Sequence, residues 1–141
     1  MSEVYSIDVE ITVPVYDTEV EDRVVDAVTN LFPNADVERL DGELLATTHS
    51  LERFAEKLRE REILDTARGA FLDSLRGDTF SFALAKQPAF VGVVNFAVGD
   101  PDELGDIHVR VRVNEPSAEA FIDRLAPATE DGRPVDDEWA P

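Results

Sequence analysis

The chain has 141 residues, of which 43% are hydrophobic and 31% are charged, and its formal net charge is −18. This length favours one domain with a packed core, and the lack of cysteine excludes disulfides, thiolate zinc sites and a cysteine nucleophile. No apolar run approaches the ~20 residues of a membrane span, and the first residues lack a signal-peptide pattern. We therefore expect a cytoplasmic protein with no membrane partner.

The acidity is of a particular kind. There are 31 Asp and Glu residues against 11 Arg and 2 Lys, and the carboxylates are spread along the chain. A folded surface coated with carboxylates is typical of adaptation to molar salt, where the Debye length is about 3 Å and repulsion between surface charges is screened. We therefore expect a halophilic source. The alternative is an ordinary acidic protein that binds a cationic partner.

The predicted elements begin with a strand and a helix. Apolar and polar residues alternate over residues 7–13, which predicts a half-buried strand that ends at Pro14. Residues 18–21 have the pattern of a capping box, and an apolar stripe at helical spacing follows them. The sequence thus predicts a helix over residues 18–31.

A hairpin and a long helical region come next. Residues 41–42 are Asp-Gly, a favoured two-residue hairpin turn, so we expect a short strand on each side of it. Ser50 is a candidate cap for a helical region over residues 51–76. The apolar phase slips by one residue within this region, which predicts a break near residue 62.

The second half of the chain is predicted to return to the sheet. Alternation predicts a strand over residues 80–84, a turn or bulge over 85–89, and a more fully buried strand over 91–98. Another strand is expected over residues 107–113 and a short helix over 117–125.

Irregularly interleaved strands and helices favour an α+β fold, with a mixed or antiparallel sheet covered by helices on one face. We expect a single domain over residues 1–125. Residues 126–141 form an acidic, proline-containing tail that we expect to be poorly packed.

Four segments are more particular than this pattern requires. They read REILDTAR at residues 61–68, KQPAFVG at 86–92, LGDIHV at 104–109 and IDRLAP at 122–127. In this order, and over nearly the whole chain, they resemble the archaeal uncharacterised protein family 0201. That family is described as predicted RNA-binding, with a suggested association with the exosome.

The resemblance implies a split β-α-β, ferredoxin-like fold similar to that of the ribosomal large-subunit protein that binds 5S RNA. It also implies RNA as a partner, within an RNA-processing complex. We expect neither catalysis nor a cofactor. Fold alone does not establish function, so RNA binding is a hypothesis at this point. The sequence leaves a homodimer open.

The distribution of positive charge agrees with an anionic partner. Residues 44–99 carry seven basic and seven acidic side chains, so this stretch is neutral within a strongly acidic chain. Part of this charge recurs every four residues along one predicted helix face, where it could hold successive phosphates. The alternative is a solvated face laced with ion pairs. The candidate RNA-binding residues are Arg53, Lys57, Arg61, Arg68, Lys86 and Gln87.

Other signals for chemistry are weak. Phe80 and Phe82 could form a stacking platform for bases if exposed, but their alternation with small residues favours a place in the core. His49 and His108 are isolated and lack metal-ligand spacing, so we expect no metal site and no catalytic residues. Three classes remain open: an RNA-binding module, an adaptor or assembly factor without direct RNA contact, and a carboxylate-dependent hydrolase.

Overall fold

The computed structural model describes residues 5–97, 105–130 and 133–134. None of the helices in these ranges is long and apolar enough to cross a membrane. The elements in chain order are β1 (Ser6–Pro14), α1 (Glu21–Leu31), β2 (Asp36–Leu40), β3 (Glu43–Thr48), α2 (Glu52–Glu60), α3 (Leu64–Ser74), β4 (Thr79–Ala85), α4 (Lys86–Ala89), β5 (Asp106–Glu115), α5 (Ala118–Leu125), β6 (Thr129–Glu130) and β7 (Arg133–Pro134).

Five strands form one sheet in the order β2-β3-β1-β5-β4, and every neighbouring pair is antiparallel. Strands β1 and β2 therefore run in the same direction on either side of β3, and α1 connects them. This is a split β-α-β unit of the ferredoxin-like type, with β4 added as an edge strand. The predicted α+β class is confirmed, and the sheet is antiparallel. Strands β6 and β7 pair separately as a short hairpin.

The sheet has one buried and one uncovered face, because successive side chains of a strand point to opposite sides. In β1, Ile7, Val9 and Ile11 are buried whereas Asp8 and Glu10 are exposed. The helices cover the buried face with their own apolar residues, which include Val24, Val28, Leu31, Phe54, Leu58, Ala67, Phe71 and Ile122.

Aromatic rings occupy the centre of this core. The ring of Phe82 lies 5.3 Å from that of Phe54 and 5.0 Å from that of Phe71, and Phe80 lies 5.0 Å from Phe71, all between centroids. Aromatic pairs at this separation add to the stabilisation from burial alone. The predicted core position of Phe80 and Phe82 is confirmed, so neither ring is open to nucleobases.

The first helix begins later than predicted. It starts at Glu21, after Val20, and no side chain caps it, so the predicted capping box at residues 18–21 does not form. The Glu19 carboxylate instead accepts a hydrogen bond from the Tyr16 backbone N–H and forms an ion pair with Lys86. These contacts hold the residues before α1 in a turn.

The predicted break near residue 62 is confirmed. Helix α2 ends at Glu60 and α3 begins at Leu64, and Glu62 between them has φ +55°, a conformation that a helix interior does not allow. The cap of α2 is weaker than expected, since Leu51 precedes the helix and the Ser50 hydroxyl accepts from the Glu52 N–H at 3.4 Å.

The segment after β4 differs most from the prediction. Residues 86–89 form the short helix α4 rather than a turn or bulge, and the predicted strand over residues 91–98 is wrong for its described part. Phe96 makes one isolated bridge with Leu84, and Val91 is 78% exposed. The cause is local, because Gly92 adopts φ +76° and turns the chain out of an extended path. Residue 98 lies outside the described ranges.

The remaining predictions hold more closely. The hairpin turn at residues 41–42 joins β2 to β3, and Ser117 caps α5 by accepting a hydrogen bond from the Ala120 N–H at 3.1 Å. Ala126 is fully buried in the core, although we placed it in the tail. The domain boundary stays a prediction, and residues 131–132 and 135–141 of the tail lie outside the described ranges.

Replacing Gly105 by alanine should destabilise the fold by about 2 kcal/mol or more. Gly105 has φ +78°, and a Cβ built on it would lie 2.4 Å from Pro14 Cγ, inside van der Waals contact. Urea unfolding measures the loss. Gly69→Ala is the matched control, because nothing lies within 4 Å of its added Cβ and its helical position favours alanine. Equal unfolding midpoints for the Gly105→Ala variant and the parent would contradict the prediction.

Candidate nucleic-acid interface

The basic residues predicted to recur along one helix face begin on α2 with Arg53, which pairs with carboxylates of the same helix. The Arg53 guanidinium lies 2.8 Å from the Glu56 carboxylate and 3.5 Å from that of Glu60. The hydrogen bond to Glu56 raises the pKa of Arg53 above its usual value. This is the ion-paired helix face that was the alternative to a phosphate-binding stripe.

The next two cations bind the segment that follows α4. Lys57 Nζ donates to the Gly92 carbonyl oxygen at 2.7 Å, and Arg61 Nη2 donates to Asn95 Oδ1 at 3.4 Å. Both contacts join residues far apart in the sequence. They tie this loop to α2, so these side chains contribute to the tertiary fold.

Two further arginines bind the C-terminal end of α5. Arg59 donates to the carbonyl oxygens of Arg124 and Leu125 at 3.3 Å each, and Arg68 donates to that of Ala126 at 3.0 Å. The last carbonyls of a helix lack intrahelical partners and carry partial negative charge, so cations are favoured there. Burial lowers the pKa of Arg59, and the charge of Arg124 lowers it further. Arg68 also forms an ion pair of 2.8 Å with Asp123.

Lys86 is buried and already paired, which argues against its predicted contact with RNA, and that contact stays a prediction. Its side chain is 0% exposed, and Nζ lies 2.7 Å from the Pro14 carbonyl oxygen and 3.0 Å from Glu19 Oε1. The ammonium also lies 5.6 Å from the ring centroid of Tyr16. A lysine is buried almost only when it is paired, which is the case here. Its neighbour Gln87 is exposed on α4.

The structure therefore brings Lys57 and Arg61 together around residues 92–95 and places Arg68 beside α5, apart from them. As RNA contacts, the six candidate residues stay predictions, and they are Arg53, Lys57, Arg61, Arg68, Lys86 and Gln87. The contacts found for the five cations among them stabilise the fold or pair them with carboxylates.

The uncovered face of the sheet carries a second set of basic side chains, on β5. In the strand register His108 lies between Thr12 and Ala83, Arg110 between Glu10 and Ser81, and Arg112 between Asp8 and Thr79. All three basic residues are exposed. Among the cross-strand neighbours of these three residues, the two carboxylates belong to β1, whereas the neighbours from β4 are neutral. The half of the face formed by β5 and β4 is thus its basic half.

The two arginines of this face differ in their pairing. Arg112 Nε lies 3.4 Å from Asp78 Oδ2, and the hydrogen bond from the Thr79 hydroxyl, followed by the charge of Arg112, lowers the pKa of Asp78. The Arg110 side chain forms no ion pair or hydrogen bond with any residue in the described ranges. The Arg110 guanidinium can therefore bind a phosphate without breaking an existing contact.

Sequence reasoning missed these residues because it counted charge along the chain. Arg110 and Arg112 lie in the acidic C-terminal third, which hides them in any sum over a segment. Their signal was the period of two, since His108, Arg110 and Arg112 alternate with apolar residues of the same strand. Alternation places all three on one face.

The described part of the chain contains no group of three His, Asp or Glu residues that could hold a metal ion. His49 Nδ1 lies 3.0 Å from the Ile7 carbonyl oxygen and 3.1 Å from Asp8 Oδ1, at the end of the sheet. His108 lies on the uncovered face, on another strand.

The fold and this face define a class of protein: a split β-α-β sheet with helices on one side and an open polar surface on the other. A family model described as RNA binding matches residues 8–113. The chain belongs to the UPF0201 family, as its relatives and its fold show together.

Among the relatives, a UPF0201 protein of Methanopyrus kandleri is 40% identical over 139 residues, covering 89% of this chain and 87% of its own length. A UPF0200/UPF0201 protein of Archaeoglobus fulgidus is also 40% identical and covers 92% of this chain. The chain spans only 40% of the length of that relative.

Solved structures agree with the fold. The crystal structure of a UPF0201 protein from Methanococcus jannaschii has a TM-score of 0.85 and 33% identity, and covers 92% of this chain and 99% of its own. A DUF54 protein from Methanothermobacter thermautotrophicus is 21% identical with a TM-score of 0.60, over 87% of this chain and 99% of its own, which shows a shared fold alone.

The predicted family is confirmed, and its relatives are archaeal. The halophilic source, the cytoplasmic location, the link to the exosome and the likeness to the 5S-RNA-binding ribosomal protein stay predictions. The RNA-processing complex and the homodimer also stay predictions.

Proposed function

We propose that this protein binds RNA without chemical turnover, through the β5–β4 half of its uncovered sheet face. The observation that carries the proposal is Arg110, an exposed guanidinium near the middle of that face with no partner in the described ranges. In a chain of net charge −18, a cation left without a carboxylate is the natural place for an external anion.

The neighbouring groups suit an RNA backbone. A guanidinium binds phosphate in a bidentate manner, and the Ser81 hydroxyl opposite Arg110 can donate to a phosphate oxygen. The Thr79 hydroxyl opposite Arg112 already donates to Asp78, so it can only accept, as from a 2′-hydroxyl. Alternate residues on a strand are about 7 Å apart, so His108, Arg110 and Arg112 form a row that successive nucleotides can follow. The RNA-binding family description supports the same partner.

The acidic remainder of the protein limits long-range attraction. Carboxylates of β1 border the basic half and those of β2 lie at the far edge of the same sheet, so affinity must come from short-range contacts. With about two phosphates neutralised, the logarithm of the binding constant should fall with the logarithm of salt concentration with a slope of roughly −2. This slope is small enough for binding to persist at high salt.

The adaptor alternative needs a contiguous exposed apolar patch. The large apolar residues that are exposed in the described ranges come from four segments of the sequence, and they are Tyr16, Val20, Leu40, Leu72 and Val91. Ion pairs of Arg39 with Glu21 and Asp22 bring two of these segments close together, and no contact joins them to Leu72 in the described ranges. No observation favours this alternative over RNA, and none favours a hydrolase.

The double substitution Arg110→Gln and Arg112→Gln should weaken RNA binding at least about tenfold, because charge-assisted hydrogen bonds contribute roughly 1.5–3 kcal/mol each. The measurement is fluorescence anisotropy with a labelled RNA hairpin that carries an unpaired loop, across a potassium chloride series. In the variant, the slope of the logarithm of the binding constant against the logarithm of salt concentration should become shallower by about 2.

The matched control is Arg53→Gln with Arg61→Gln, which removes the same charge from α2. We expect this control to change affinity less than about threefold, because both of its cations already have partners on the protein, whereas Arg110 of the test pair has none in the described ranges. Equal losses from both pairs would mean that net charge alone matters. A loss confined to the control pair would move the site to the helix face.

A further inference from the structure

A cleft lies at the end of the sheet where β1 begins and β3 ends. Its volume is about 250 Å³, and side chains from β1, from the connection between β3 and α2, and from α5 line it. Tyr5 and Phe121 are its aromatic residues, and His49, Ser50 and Arg124 are among its polar ones. It lies outside the β5–β4 surface described above.

In the aromatic part of the cleft, a guanidinium group lies over a tyrosine ring. The Tyr5 and Phe121 ring centroids are 5.6 Å apart, and the Arg124 guanidinium carbon lies 5.7 Å from the centroid of Tyr5. Tyr5 is half-buried and Arg124 is exposed. Aromatic rings and guanidinium planes are the surfaces on which unstacked nucleobases lie in protein–RNA complexes.

Polar groups at the same cleft match the edge of a base. The Ser50 hydroxyl can donate and accept a hydrogen bond, the Glu52 carboxylate accepts, and the Arg124 guanidinium donates. A cavity of about 250 Å³ is below the ~300–1,000 Å³ of pockets for drug-sized ligands, so it suits one ring system rather than a longer segment.

His49 connects this cleft to the basic face. The same histidine lines a groove with Arg110, Arg112 and Thr47 on the uncovered side of the sheet, and the carboxylates of Asp8 and Glu10 line its β1 side. Its side chain is 80% exposed, so it stands at the rim between the two depressions. An RNA strand whose phosphates contact the arginines of β5 would reach the cleft by passing over His49.

We propose that the cleft takes a single unpaired nucleobase of the RNA whose backbone lies on Arg110 and Arg112. The proposal rests on the proposed function and narrows its substrate class, because a base enters a cleft only when it is not paired. The protein then selects RNA loops, bulges or single-stranded ends over uniform duplex.

The test compares two RNA probes of equal length, each with a single 2-aminopurine. In a hairpin this fluorescent base is unpaired in the loop, and in a duplex it is paired. The parent protein should bind the hairpin at least about tenfold more tightly than the duplex, since stacking of one base on an aromatic side chain is worth about that factor. Binding should also change the fluorescence of the unpaired 2-aminopurine and leave that of the paired one unchanged.

Tyr5→Leu removes the ring and keeps an apolar side chain. We expect it to reduce the preference for the hairpin to about twofold or less while the affinity for duplex is retained. Tyr16→Leu is the matched control, because it changes the other tyrosine, which lies beside Lys86, and should keep the full preference. His49→Ala removes the exposed rim side chain, with its contacts to the Ile7 carbonyl oxygen and Asp8, and is a second variant that should reduce the preference if Tyr5→Leu proves too unstable to assay.

The outcomes separate the two proposals. If Tyr5→Leu and His49→Ala both keep the parent's preference, the cleft is not a base site, and RNA binding through β5 stands. Equal affinity of the parent for hairpin and duplex overturns the cleft proposal in the same way. If the parent binds neither probe at any salt that keeps it folded, the proposed function fails and the cleft proposal fails with it.

Discussion

Replacing Lys86 by methionine is expected to lower the free energy of unfolding by about 3–5 kcal/mol, because removal of one partner of a buried ion pair leaves the other charge uncompensated. The Glu19 side chain is only 6% exposed, and in the variant it would lose the ammonium that both of its oxygens contact. The Pro14 carbonyl oxygen would lose its bond from Nζ as well. Such a loss is a large share of the ~5–15 kcal/mol that holds a typical domain together.

A double-variant cycle tests whether the pair causes this loss. Glu19→Gln alone should also destabilise, because it leaves the buried ammonium without a counter-charge. The variant with both substitutions should lose less than the sum of the two single losses, since a buried pair replaced by neutral groups is often nearly neutral for stability. Denaturant unfolding followed by circular dichroism gives all four free energies.

The control for this cycle is an exposed cation. Arg110→Met removes the same charge from an exposed side chain that has no partner in the described ranges, so it should change stability by about 0.5 kcal/mol or less. If Lys86→Met were no more harmful than Arg110→Met, the buried ion pair would have no part in holding the turn before α1 against α4.

Stability should rise steeply with salt. Exposed carboxylates occur on α1, β1 and β2, and they include Asp26, Glu10, Asp36 and Glu38. Their repulsion acts over about 10 Å at 0.1 M salt and over about 3 Å at 1 M. We expect the melting temperature to rise by about 10 °C or more between these limits, which is roughly 3 kcal/mol for a domain of this size.

Thermal melting in a potassium chloride series measures this rise, and chloride is preferred because sulfate stabilises most proteins by exclusion from their surface. The variant Asp36→Asn with Glu38→Gln removes two exposed charges from the edge strand β2. If repulsion is the cause, this variant should be more stable than the parent at low salt and equal to it at high salt. A melting temperature independent of salt would remove the basis for a halophilic source.

Local pattern predicted most of the fold. The alternation in β1, β4 and β5 and the slip of apolar phase at residue 62 were enough to place those strands and to separate α2 from α3. The pattern failed between residues 91 and 97, where an apolar run resembles a buried strand. Gly92 turns that chain, and Lys57 and Arg61 hold the turned loop through contacts that no sequence window contains.

The site was predicted less well, for a reason of the same kind. A sum of charge over residues 44–99 treats Lys86 and Arg61 as equivalent, although one is buried against Glu19 and the other lies on the surface. The same sum assigns Arg110 to an acidic flank. In space its nearest cross-strand neighbours include Ser81, from the neutral segment.

The sequence by itself determined what depends on neighbours along the chain: the period of the strands, the break between α2 and α3, the core position of Phe80 and Phe82, and the family. The tertiary structure decided which charges are available to a partner. Burial and pairing are set by segments distant in sequence, as when Pro14 and Glu19 meet Lys86, or when the end of α5 meets Arg59 and Arg68. The free energy of a charge depends on the solvent and counter-charges around it, and only the folded chain fixes both.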